Sequence, residues 1–180
     1  MVFLDETSTP TTLTPLRARA PRGQRAIGRV PRGRWVSVTL LAPLTPTGMG
    51  AAMLLEGAAD QAAFEAFVAQ HLVPSLRPGQ TVVLDNLSVH KSARARDLIA
   101  AAGCALRFLP TYSPDFNPIE HAFAKIKQHL RRAEARSFAA LRAATGPALD
   151  AVTPADAHAF YHAAGFTLPT IPGQPLLRAL

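Results

Sequence analysis

Two short apolar runs that each end in an aspartate constrain this chain more than any other feature. Residues 2–5 read Val-Phe-Leu-Asp and residues 82–85 read Val-Val-Leu-Asp. An apolar triplet of this kind, flanked by polar and turn-forming sequence, fits a central strand buried on both faces. A carboxylate within or just beyond such a strand is costly unless it is hydrogen-bonded, paired or bound to a cation. In open α/β sheets the carboxyl ends of strands are also where ligands sit. For either aspartate alone, capping the backbone of the turn that follows is the more ordinary role. If the two strands are neighbours the carboxylates converge, and like charges that close call for a divalent cation between them. Oxygen ligands select Mg²⁺ or Mn²⁺ over zinc.

The pattern around these runs organises the rest of the chain. Residues 7–34 are rich in Thr, Pro, Arg and Gly and read as an irregular basic connection. Apolar runs over 34–44 and 47–57 resemble a hairpin. Residues 60–72 place Ala63, Phe64, Phe67, Val68 and Leu72 at helical spacing behind Asp60 as cap. After the strand that ends at Asp85, a helix is expected from its cap Ser92 to Gly103, followed by a strand over 104–110. Strand, helix, strand in that order implies a parallel βαβ unit. Helical periodicity then runs over 118–166, and residues 167–180 read as a tail. The expected fold class is α/β, one domain over residues 1–166.

A third carboxylate stands out in "YSPDFNPIEHAF", residues 112–123. Asn117, Pro118 and Glu120 have the spacing of a capped helix start, with the asparagine as cap and the glutamate three residues on. On the helix that follows, Ile119, Ala122, Phe123, Ile126 and Leu130 form one apolar stripe. Glu120 falls about 100° around the axis from Ile119, at the stripe's edge, and Lys127 and Arg131 share that edge. One border would thus carry a metal-binding carboxylate followed by two cations suited to phosphates, the combination that two-metal phosphoryl transfer requires.

Composition narrows the partner. Nineteen Lys and Arg against twelve Asp and Glu give a net charge of +7, which suits a polyanion, nucleic acid first and an acidic membrane surface second, and equally a basic protein with no such partner. Arg17, Arg19, Arg22, Arg25, Arg29, Arg32 and Arg34 occur with no acidic residue among them, a run suited to a phosphate backbone or to solvent alone. Cys104 is the single cysteine, excluding an internal disulfide and a cysteine-based zinc cluster. No stretch approaches the roughly 18 apolar residues of a membrane span, and the N-terminus lacks a signal-peptide pattern, so a cytoplasmic location is expected. His158 and His162 stand four apart without the glutamate of a zinc protease motif. Ser88 and His90 lack the nucleophile-elbow sequence of a hydrolase.

The blocks "VFLDET", "APRGQRA", "VVLDNLSVHKS" and "FLPTYSPDFNPIEHAFAKIKQHLR" resemble, in order and spacing, the catalytic domain of IS630-type transposases in the Tc1/mariner superfamily. Asp85 and Glu120 enclose 34 residues, the interval this family uses between its second and third catalytic acids. The resemblance implies an RNase H-like (retroviral-integrase-type) fold, with a five-stranded mixed sheet flanked by helices and its first and fourth strands adjacent. It implies Asp5, Asp85 and Glu120 as an acidic triad binding two Mg²⁺ or Mn²⁺ ions. The implied chemistry is cleavage of transposon-end DNA and attack of the freed 3′-hydroxyl on double-stranded target DNA, usually at TA. Asn86, His90 and Asn117 are then expected to support the triad or touch DNA, and Arg22, Arg25, Arg32, Lys91, Lys127 and Arg131 to bind it; for His90 an exposed turn position is the alternative. A homodimer that synapses two ends is implied, in the bacterial cytoplasm and at the nucleoid when DNA-bound. Relatives carry helix-turn-helix modules ahead of the first catalytic strand, so an upstream recognition protein or a missing N-terminal half is expected here. The other readings are a transposase-derived DNA-binding relic and an RNase H-like nuclease without strand transfer.

Overall fold

The computed structural model describes residues 1–28, 30–32 and 35–168. Arg29, Arg34 and the tail beyond residue 168 therefore lie outside the described residues. The first strand, β1 (Val2–Pro10), continues past Asp5 through Glu6-Thr-Ser-Thr-Pro. It pairs antiparallel with β2 (Ser37–Thr45) from Phe3 opposite Leu44 to Pro10 opposite Ser37. The irregular connection expected over residues 7–34 thus begins later, after Pro10. Polar β-formers such as Thr7 and Thr9 are drawn into the ladder by a long partner strand, and both are buried.

β3 (Gly48–Met49) and β4 (Met53–Glu56) both pair antiparallel with β2, which gives six strands where five were expected. The register explains the difference. Leu44 faces Met49, but Leu41 faces Met53, so one extra residue is inserted between the two pieces. They are one outer strand broken by a bulge. The bulge sits opposite Pro43, which has no N–H to give, while the Pro43 carbonyl accepts from the Gly50 N–H at 2.8 Å. Gly48, at φ +122°, begins this strand where a Cβ would lie 2.8 Å from the Val152 carbonyl oxygen.

On the other side of β1 lies β5 (Thr81–Leu84), parallel to it, with Val2 level with Val82 and Phe3 with Val83. β6 (Ala105–Phe108) is parallel to β5 and completes the order β3-β2-β1-β5-β6, with β4 also on β2. Helix α2 (Ala93–Ala101), capped by the Ser92 side chain on the Ala95 N–H, makes the crossover between β5 and β6. Helix α1 (Gln61–Phe67) starts at the Asp60 cap and passes into a π-helical turn over Val68–Leu72. The C-terminal helices are α3 (Ile119–Ala133), α4 (Phe138–Asp150) and α5 (Pro154–Ala163).

The sheet separates two cores. Val2, Leu4, Leu41, Val82 and Leu84 pack on Phe64, Phe67, Val68 and Leu72 of α1 and its extension and on Ala95 and Ile99 of α2. Phe3, Val38, Leu40, Ala42, Leu44 and Val83 pack on the α3 stripe and on Leu141, Ala148 and Tyr161. All five expected stripe residues of α3 are buried. Burying each of the larger ones contributes about 1.5–3 kcal/mol. The Tyr161 hydroxyl lies 3.0 Å from both the Met1 and Leu44 carbonyl oxygens, fastening α5 to the sheet.

Candidate active site

Strand alternation decides which side chains meet. Asp5 shares a sheet face with Phe3, and Asp85 shares one with Val83, which is the α3 face in both cases. Continuing the parallel register from Val2–Val82 and Phe3–Val83 sets Asp5 level with Asp85 on the neighbouring strand. Glu120 enters from the first turn of α3. The three carboxylates line one open cleft of about 370 Å³, together with Asn86, Leu87, Asn117 and the segment from Leu109 to Pro114.

Asp5 is 8% exposed. Its Oδ1 accepts the Glu6 backbone N–H at 2.8 Å and its Oδ2 accepts the Asn117 side-chain amide at 2.7 Å. Burial pushes its pKa up to about 7. The Glu6 amide hydrogen bond opposes this, while the charges of Asp85, Glu6 and Glu120 add to it. Asp85 behaves oppositely. Its Oδ1 accepts from His90 Nδ1 at 2.5 Å and from the Leu87 N–H at 3.0 Å. The His90 hydrogen bond holds the carboxyl below its ordinary range against the effect of burial, aided by Leu87.

His90 is not an exposed turn histidine. It is 1% exposed, its ring lies 4.8 Å from that of Phe64, and its Nε2 is 2.7 Å from Glu6 Oε2. Burial alone would lower its pKa, but the hydrogen bonds to Asp85 and Glu6, with their charges, raise it to about 9. Glu6 follows Asp5 on β1, and strand alternation turns it to the opposite face of the sheet. There its carboxylate grips His90.

Asn117 corrects the capping expectation. The residue at the N-cap of α3 is Pro118, with no side-chain cap bond, and Asn117 contributes only its carbonyl, to the Glu120 N–H at 3.2 Å. Its side chain is spent on Asp5, and its buried Oδ1 has no hydrogen-bond partner among the described residues. Glu120 is correspondingly exposed and forms no capping box. Asn86 donates to Thr111 Oγ1 at 3.2 Å and the Leu109 carbonyl at 3.4 Å, tying the loop after β5 to the loop after β6. In that second loop Tyr112 adopts φ 57° and is 98% exposed at the cleft rim.

Along α3, Lys127 is half-buried. Burial lowers its pKa, which the Glu120 charge opposes and the Arg131 charge reinforces. Arg131 Nε is buried without a partner among the described residues. Lys91, Arg22, Arg25 and Arg32 are exposed, the three arginines in the irregular segment between β1 and β2.

The donor set is all oxygen, clustered and mutually repulsive, with an orphaned amide oxygen beside it, which suits a hard divalent cation in its chemistry. Among the described residues no three His, Cys, Asp or Glu side chains are drawn to metal-holding spacing. The fit therefore rests on donor type and on the shared cleft.

Residues 1–142 match the family of DDE superfamily endonucleases. This chain belongs to that family. Solved structures similar to the DDE domain include the Mos1 strand transfer complex, with 21% identity, TM-score 0.68, and coverage of 91% of this chain and 50% of that one. The Mos1 transposase paired-end complex with left transposon end gives 20% identity and TM-score 0.68 over 89% and 51% of the two chains. The catalytic domain of Mos1 mariner transposase gives 16% identity and TM-score 0.58 over 91% and 74%. The chain spans about half the length of the first two. The DDE domain thus has an RNase H-like fold, the one it shares with the Mos1 transposase catalytic domain. No curated protein matches the sequence.

Proposed function

We propose that this DDE endonuclease domain, taken as residues 1–166, is the catalytic domain of a bacterial IS630-type transposase that cleaves transposon ends and joins the freed 3′-hydroxyl to target DNA. The observation that supports this best is the meeting of Asp5, Asp85 and Glu120, from three separate elements, on one cleft. Divalent cations, two Mg²⁺ or Mn²⁺ in this reading, supply activation of the attacking oxygen and stabilisation of the leaving one when bound. Asp5, Asp85 and Glu120 would hold them. Asn117 and the Glu6 backbone fix the Asp5 carboxylate, and His90 fixes that of Asp85. Lys127 and Arg131 extend from the Glu120 end of α3 to receive phosphates, and Arg22, Arg25, Arg32 and Lys91 neutralise the flanking DNA backbone. Synapsis of two ends makes the working unit at least a dimer, consistent with the paired-end assemblies of the Mos1 structures. Structures of that transposase with Mg and with Mn bear on the choice of ion. Among the described residues no helix is long and apolar enough to cross a membrane, and the site of action is the cytoplasm and its nucleoid DNA.

The test is a supercoiled plasmid carrying the inverted repeats that flank the gene, incubated with protein and Mn²⁺. Cleaved ends and end-to-target joints are expected, both abolished in Asp85→Asn. Cleavage without joints would mark a nuclease. DNA retention with neither product would mark a non-catalytic relic.

A further inference from the structure

Asp85 lies one residue beyond the end of β5, where the ladder no longer restrains it, and its side chain is 40% exposed. Such a carboxylate would ordinarily sample several rotamers. Here both donors that reach it, His90 Nδ1 and the Leu87 N–H, fall on Oδ1. Among the described residues Oδ2 receives no hydrogen bond, so that oxygen is left for the cleft. The orientation of Asp85 therefore depends on the orientation of one imidazole ring.

That ring is held at both ends. Nε2 faces Glu6 Oε2 across 84 residues of sequence, and Phe64 covers one side of the ring. Each ring nitrogen thus lies within hydrogen-bond distance of one carboxylate oxygen, Nδ1 of Asp85 and Nε2 of Glu6. A ring flip would put carbon atoms where both carboxylates now meet nitrogens. Glu6 thus excludes the flipped ring without touching Asp85 itself.

We propose that Glu6 and His90 form one positioning unit that aims Asp85 Oδ2 into the cleft, with Glu6 acting only through His90. The inference rests on the reading of Asp85 as a cation ligand. It places a functional role on the far face of the sheet, on a residue adjacent in sequence to Asp5 yet outside the acidic triad. Partners that orient a ligand in this way alter metal affinity by about 10–100-fold when removed.

Two substitutions at His90 separate aiming from mere stapling of β1 to the β5–α2 loop. Asparagine sets its amide nitrogen near the position of imidazole Nδ1 and keeps a donor for Asp85. Glutamine sets its amide nitrogen near Nε2 and keeps the donor for Glu6 alone. Mn²⁺ titration calorimetry on the full chain, with Tm measured in parallel, reads both effects. We expect His90→Gln to weaken Mn²⁺ binding about tenfold or more and His90→Asn to weaken it about threefold or less. Glu6→Ala should weaken binding in the wild-type background and add nothing in the His90→Asn background, because its route to Asp85 is then absent. Lowered Tm in these variants with Mn²⁺ affinity unchanged, while Asp85→Asn loses binding, would overturn the positioning role alone. Wild-type protein binding Mn²⁺ no better than Asp85→Asn would overturn the metal reading and this inference with it.

Discussion

The two faces of the sheet handle carboxylates in opposite ways, and Asp5 and Glu6 show it within one dipeptide. On the α3 face, Asp5 is buried among neutral donors, an amide side chain and a backbone N–H, with two further carboxylates on the same cleft. Its charge is left uncompensated and its pKa is raised. On the α1–α2 face, Glu6 meets a buried imidazole, and the nearby Glu65 accepts from Ser92 Oγ at 2.6 Å. Both of these carboxylates have a hydrogen-bonded partner. The contrast teaches that repulsion is concentrated on the side open to a ligand, while the closed side supplies rigid support.

The most disruptive way to break this contrast is to hollow out the open side. Phe123→Ala removes a ring that is 2% exposed, one turn beyond Glu120, and should cost about 3–5 kcal/mol in urea unfolding. A metal-free pH series sharpens the comparison next. The Asp5 pKa is raised from 3.8 to about 7, so between those values the folded state binds the extra proton. Stability should therefore fall as pH rises through that window, by at most about 1.4 kcal/mol per pH unit. Asp5→Asn should remove this slope; an unchanged slope would mean that another group carries it. His90, raised from 6.5 to about 9, contributes stability that is full below pH 6.5 and lost as pH rises through 9. His90→Asn should flatten that later decline and leave the earlier one. The smallest effect is expected far from the site: Tyr161→Phe removes only the hydroxyl shared by two carbonyls and should cost about 1 kcal/mol in thermal unfolding.

What was legible in sequence was what periodicity and local chemistry encode. The α3 stripe, the caps Asp60 and Ser92, and the βαβ unit follow from spacing alone. Asn117 was misread because the same three residues that spell a cap also suit an amide aimed elsewhere, and its partner Asp5 lies 112 positions away. Alternation placed Glu6 on the face opposite Asp5, but it is silent on what covers that face. The burial of His90 depends on Phe64 of α1, which no local pattern around residues 85–92 announces. The extension of β1 to Pro10 was hidden because Thr, Ser and Pro read as coil until a partner strand supplies the ladder.

In the proposed site three acids from three elements act together, and Glu120 is the most exposed of them, held by no side-chain hydrogen bond among the described residues. The direct measurement is Mn²⁺-dependent cleavage of a transposon-end duplex by Glu120→Gln, a change that keeps shape and removes charge. Cleavage should fall about a hundredfold or more with Tm unchanged. Cleavage at the wild-type rate by this variant would contradict the proposed site.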